Sequence, residues 1–132
     1  MNVAGGLVSV LGGGYRNTVQ GAYGTIAGGY RNTCVGEGGV VAGGYDNKLT
    51  GTRAAVGGGW ANKATGTYAA VGAGYRNTAG GISATVPGGS YNVASGDYSF
   101  AVVRWCVGAL VLVACGCTAA APAAALLLQC SC

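Results

Sequence analysis

Val56-Gly57-Gly58-Gly59-Trp60-Ala61-Asn62-Lys63-Ala64-Thr65-Gly66-Thr67-Tyr68-Ala69-Ala70 runs without a gap into Val71-Gly72-Ala73-Gly74-Tyr75-Arg76-Asn77-Thr78-Ala79-Gly80-Gly81-Ile82-Ser83-Ala84-Thr85. The two blocks match in kind at most places. Both have a valine first, glycines after it, an aromatic fifth, asparagine seventh and glycine eleventh. The same beat extends in both directions. Asparagine recurs at Asn2, Asn17, Asn32, Asn47, Asn62, Asn77 and Asn92, always 15 residues apart. Glycine keeps step at Gly6, Gly21, Gly36, Gly51, Gly66, Gly81 and Gly96. A β-branched or leucine ladder follows at Leu11, Ile26, Val41, Val56, Val71 and Val86. An aromatic ladder stands at Tyr15, Tyr30, Tyr45, Trp60 and Tyr75, and ends in Ser90.

A fixed period of this kind decides the architecture before any local pattern does. Fifteen residues are too few for a helix pair, which needs about 33. They suit one coil of two short strands and two tight turns. The expected fold is all-β: a parallel β-roll, or solenoid, over residues 1–101, with roughly six and a half coils. Successive coils would stack about 4.8 Å apart through parallel main-chain hydrogen bonds. The glycine runs Gly12 to Gly14 and Gly57 to Gly59, and the single glycines Gly21 and Gly66, are expected to form the turns through positive φ. Alternation along each strand puts Ala54, Val56, Asn62 and Ala64 inside. The inward set is thus small: Ala, Val, Gly and a stacked Asn ladder (Asn17, Asn32, Asn47, Asn62, Asn77, Asn92). That ladder is read as structural, bonding to itself and to turn carbonyls. A core this narrow buries little apolar area, which favours association of several chains. The aromatic ladder is read first as subunit packing and second as a ligand-contact face.

Composition supports a repetitive scaffold over an enzyme. Glycine fills 28 of 132 positions, against a usual share of about 7%. Histidine is absent, removing the commonest general base and metal ligand together. The acids Glu37, Asp46 and Asp97 are read as falling at different places in the repeat, so no pair serves acid-base work or calcium. Cys34 replaces Val, Leu or Ala of other coils and reads as a buried small hydrophobe. No glycine triplet leads into the Lys-Ser/Thr of a phosphate loop. The expectation is no catalysis, no cofactor and no metal. Seven Lys or Arg against three acids give a formal net charge of +4. Their spread along the chain predicts no nucleic-acid stripe.

The segment from Asn62 to Gly74, with its N-x-A-x-G-x-x-A-x-V-G-x-G pattern, resembles the head repeats of YadA-like trimeric autotransporter adhesins. Asn92-Val93-Ala94-Ser95-Gly96-Asp97-Tyr98-Ser99-Phe100-Ala101 is similar. The resemblance covers about three quarters of the chain. It implies a left-handed β-roll, association of three copies side by side, and display on a cell surface for adhesion. The departures are a 15-residue repeat where that family's heads usually differ by one, no secretory leader before Asn2, and no stalk or anchor. The chain therefore reads as a fragment of a longer array, or as a reading frame cut at both ends.

Register is lost at Val102-Val103-Arg104, and residues 102–132 form a separate apolar, Cys- and Ala-rich tail. From Trp105 to Leu128 there are 24 residues without a charge, enough to cross a bilayer about 30 Å thick. A membrane helix over 105–128 and out-of-frame translation stand side by side as readings. The Cys115-Gly116-Cys117 and Cys130-Ser131-Cys132 pairs lack the spacing of zinc sites.

The expected function is attachment, with a trimeric rod offering a repeated aromatic and basic face to extracellular protein, glycan or another surface. One alternative is a structural fibre or envelope segment. Another is an ice-binding face on the ladder Thr18, Thr33, Lys48, Lys63, Thr78 and Val93, which two lysines interrupt.

Overall fold

The computed structural model describes residues 1–102. Both readings of the tail therefore lie outside the described residues. Among those described, no helix is long and apolar enough to cross a membrane.

Thirteen strands of two residues each follow in chain order: β1 (Val3–Ala4), β2 (Val10–Leu11), β3 (Thr18–Val19), β4 (Thr25–Ile26), β5 (Thr33–Cys34), β6 (Val40–Val41), β7 (Lys48–Leu49), β8 (Ala55–Val56), β9 (Lys63–Ala64), β10 (Ala70–Val71), β11 (Thr78–Ala79), β12 (Thr85–Val86) and β13 (Val93–Ala94). The odd-numbered strands form one seven-stranded sheet and the even-numbered strands a second, six-stranded sheet. All pairings are parallel, and each joins residues 15 apart, as in Thr18↔Thr33 and Val56↔Val71. The chain is thus an all-β solenoid of 15-residue coils. Each strand carries one outward and one inward side chain, which explains the β-branched residues: they fit a pleated surface buried on one side.

A third wall was not legible as such. Tyr15, Tyr30, Tyr45, Trp60, Tyr75 and Ser90 pair in register through single-residue parallel bridges. Each coil therefore has two strands and a one-residue third contact. A single bridged residue leaves no period-2 alternation to detect.

Most main-chain amides donate to the following coil. Thr18 N–H reaches the Asn32 carbonyl at 2.8 Å, and Thr25 N–H reaches Gly39 at 2.9 Å. At two places per coil the direction reverses. Tyr23 N–H donates to the Leu7 carbonyl at 2.8 Å, and Arg31 N–H to Tyr15 at 3.0 Å, both in the preceding coil. The reversals coincide with left-handed backbone. Tyr23, Arg53 and Tyr68 in one ladder, and Arg16, Arg31 and Ala61 in the other, have φ between 53° and 59°. Such a conformation costs a non-glycine residue about 1–2 kcal/mol in a helical setting. Here it turns the peptide so that its amide faces back along the stack, where it finds a partner.

The single-glycine ladder works differently from the sequence expectation. Gly14, Gly29, Gly44, Gly59, Gly74 and Gly89 do have positive φ, but Gly21 and Gly66 do not. Gly21 and Gly66 open four-residue turns closed by Gly24 N–H to Gly21 at 3.1 Å and Ala69 N–H to Gly66 at 3.1 Å. The positive φ falls on the third residue, Tyr23 or Tyr68. Glycine is required at the first because a Cβ on Gly66 would drive into the Gly81 carbonyl oxygen of the next coil. Close stacking of coils, not handedness, fixes that ladder.

The core is built from three inward ladders: Val19, Cys34, Leu49, Ala64, Ala79 and Ala94 on the odd strands, Ile26, Val41, Val56, Val71 and Val86 on the even strands, and Ala54, Ala69 and Ala84 beside them. The predicted inward residues Ala54, Val56, Asn62 and Ala64 are all buried. Leu49 and Ile26 are larger than the expected inward set, and the space is recovered opposite. Gly24 and Gly39 occupy the place of Ala54, Ala69 and Ala84. A Cβ on Gly39 would collide with Leu49 Cδ2 and sit 3.1 Å from Cys34 Sγ. The extra volume of Leu49 is thus offset by the missing Cβ of Gly39 in the coil before it.

Candidate interaction surface

The Asn ladder lies inside. Asn62 donates its main-chain amide to Asn47 Oδ1 at 2.9 Å and accepts from the Asn77 amide at 2.9 Å. Its Nδ2 donates to the Gly58 carbonyl at 2.8 Å and the Gly74 carbonyl at 2.9 Å. Asn17, Asn32, Asn47 and Asn77 repeat this scheme, and Asn92 continues it through Asn77 Oδ1 and the Gly88 carbonyl. All six are buried. Both amide protons of Asn62 are committed to the coil stack, so it has no donor to offer a ligand.

The aromatic wall lies outside. Tyr15 and Tyr30 stack at 5.8 Å and 27°, and Tyr30 and Tyr45 at 5.0 Å and 12°. Trp60 meets Tyr45 and Tyr75 edge-on at 72° and 73°. Tyr15, Tyr45 and Trp60 are about half exposed. The ladder does not end at Ser90: the ring of Tyr91 reaches Tyr75 at 5.2 Å and 87°. Tyr91 belongs to the next position of the repeat, so a search confined to one register misses it. A second aromatic line, Tyr23, Tyr68 and Tyr98, projects from the opposite turn and is more than half exposed. Its 45- and 30-residue spacings, multiples of 15, were present in the sequence, with Gly38, Arg53 and Ser83 in the gaps.

Charge is distributed in a way that linear order hides. Winding brings Lys48 and Lys63 side by side as Cα partners on the outer face of the odd-strand sheet. The neighbouring ladder carries Arg16, Arg31, Asp46, Ala61, Arg76 and Tyr91. The two lysines and the part of that ladder from Arg31 to Tyr91 line a groove of about 590 Å³, which leaves Arg16 outside it. Four cations face one acid, a local excess of three. The expectation of charges that never cluster is therefore corrected: residues 15 apart in sequence are neighbours in space. Arg31 Nε and Asp46 Oδ1 are 3.7 Å apart with both side chains about half exposed, a contact of little energy. Arg16 lies over the Tyr15 ring at 5.5 Å, and Arg76 over Tyr75 at 5.2 Å.

The other two acids sit away from this face. Glu37 and Asp97 share one turn position, contrary to the sequence reading, but they are four coils apart and make no pair. Asp97 Oδ1 accepts the Ile82 amide at 2.8 Å. Arg53, near Glu37, donates to the Tyr68 hydroxyl at 2.7 Å, and that bond raises the guanidinium further above its usual range. The outer face of the even-strand sheet, Val10, Thr25, Val40, Ala55, Ala70 and Thr85, carries no charge.

Cys34 is fully buried, and burial pushes its thiol above the usual range, partly opposed by the Thr25 amide. A neutral thiol in an apolar file is a poor nucleophile. No group of three or more potential metal ligands occurs among the described residues. No protein-family profile matches this chain, and no curated protein matches it significantly.

Proposed function

We propose that this chain is a non-catalytic attachment protein, an adhesin-like solenoid head displayed outside the cell and assembled as a trimer. The observation that carries the reading is the in-register repetition of outward side chains on a stiff stack. Aromatic side chains recur coil after coil along one line, and cations return on two adjoining lines (Arg16, Arg31 and Arg76; Lys48 and Lys63), so a partner meets the same chemistry several times. Multiple weak contacts on a rigid track add to a strong one when the geometry permits simultaneous engagement. The uncharged even-strand face and the aromatic wall suit contact between copies, leaving the cationic face outward. The likeness to YadA-like head repeats supports a side-by-side trimer and a surface location. Ice binding is a weaker reading, because Lys48 and Lys63 stand in the middle of the threonine ladder.

The test is retention of the full chain on cells or matrix-coated wells, with sedimentation of the same sample. Saturable retention by a species of three chains supports the proposal. A monomer that no surface retains overturns it.

A further inference from the structure

We infer that the cationic face of the odd-strand sheet is a track for a linear acidic polysaccharide. The face gathers Arg16, Arg31, Lys48, Lys63 and Arg76, leaving Arg53 as the one other cation among the described residues. Winding alone does not require this. The Lys48 and Lys63 positions are held by Thr18, Thr33 and Thr78 in other coils, and threonine satisfies the strand equally well.

The two lysines are also in an unfavourable arrangement by themselves. They are directly opposed Cα partners, and like charges in that relation destabilise a sheet. No acid lies between them. Asp46 stands on the Arg31 side of the groove, at 3.7 Å from Arg31 Nε. Polymer-borne anions seated along the groove would relieve the repulsion at both lysines together. The groove is long: its lining runs from Arg31 to Tyr91, four coil steps, or roughly 19 Å at the usual strand spacing. That length suits a chain with several charges better than one small anion.

Single-stranded nucleic acid would bring the same charge, but it binds largely by stacking bases on free ring faces. Here several of the ring faces are already taken, while Trp60 keeps about half of its surface exposed. Tyr30 is stacked between Tyr15 and Tyr45, and Arg16 and Arg76 lie over Tyr15 and Tyr75. What the groove adds to its cations is the hydroxyls of Thr33, Thr78 and Tyr91. Hydroxyls and cations on an open face match the hydroxyl- and anion-bearing backbone of an acidic glycan.

The inference rests on the attachment reading for why this face is displayed, and its test is separate. The full chain is titrated with heparin, neutral dextran and a single-stranded oligonucleotide at several salt concentrations. Expected are binding to heparin that weakens with salt, no binding to dextran, and weaker binding to the oligonucleotide. Lys48→Thr with Lys63→Thr restores the residue of neighbouring coils, so folding is preserved. That variant should lower heparin affinity at least about tenfold and reduce the salt slope by about one per lysine. Arg53→Gln removes a charge from elsewhere and should leave affinity within about twofold of the parent, whereas Lys63→Thr alone should not. Equal losses for Arg53→Gln and Lys63→Thr, absence of heparin binding, or tighter binding to the oligonucleotide would each overturn the inference. If cells retain the full chain and heparin does not compete, attachment stands and this inference falls. If the lysine-dependent binding appears while no cell or matrix surface retains the chain, the inference stands and attachment falls.

Discussion

Asn62 shows how a residue can be indispensable without touching a ligand. Removing its side chain leaves the Asn77 amide and the Gly58 carbonyl without partners inside the stack. Each orphan costs about 1–3 kcal/mol, so Asn62→Ala should lose roughly 2–6 kcal/mol in a denaturant melt. Glycine gives the complementary contrast. Gly66→Ala forces a Cβ against the Gly81 carbonyl oxygen and should cost about 1–3 kcal/mol. Gly28 has nothing within 4 Å of its Cβ position and no positive φ, and Ala73 already occupies the equivalent place. Gly28→Ala should therefore be neutral or stabilise by up to about 1 kcal/mol. Thermal melts of the two variants separate close approach from backbone freedom. The asparagine ladder was legible because a carboxamide, with a donor pair and an acceptor, recurs at one place in every coil. The reason for the Gly21 and Gly66 ladder was not. A chain read in one dimension does not reveal that another coil's carbonyl passes against it.

At the scale of the strand, two residues per element are stable only as part of a stack. Their partners are the same residues one coil away, so inward volumes must balance between neighbours. Gly39 and Leu49 are such a pair, whereas later coils use two alanines, as in Ala54 and Ala64. Gly39→Ala alone should destabilise by crowding Leu49. Leu49→Ala alone should cost about 2–5 kcal/mol through the void it leaves. The double variant copies the later coils, and its loss should be smaller than the sum by at least about 0.5 kcal/mol. Equilibrium unfolding of the four proteins measures that coupling. The odd and even strands were legible from the β-branched and leucine ladders. The aromatic wall was recognised as a ladder but not as a main-chain contact, because one bridged residue per coil carries no periodicity of its own.

For the whole molecule, the winding converts sequence distance into spatial proximity, and the candidate site exists only as a result. Lys48, Lys63, Arg31 and Arg76 look scattered along the chain and form one face after three turns of the coil. The aromatic side of that surface was visible in the sequence. Its basic side was visible in part, through the arginines that follow the tyrosines. That Lys48 and Lys63 join them on one face was not, because the lysines were weighed only as breaks in a threonine ladder. Disulfide trapping tests the winding most directly. In a background with Cys34→Ala and the tail cysteines changed to Ser, Lys48→Cys is paired with Lys63→Cys or with Thr65→Cys. In-register coils put the first pair about 5 Å apart and the second about 8 Å apart, and only the first lies within reach of a disulfide. Mild oxidation should close the 48–63 bridge within a single chain and leave the 48–65 pair reduced. Ready closure of 48–65, or failure of both, would contradict the coil described here.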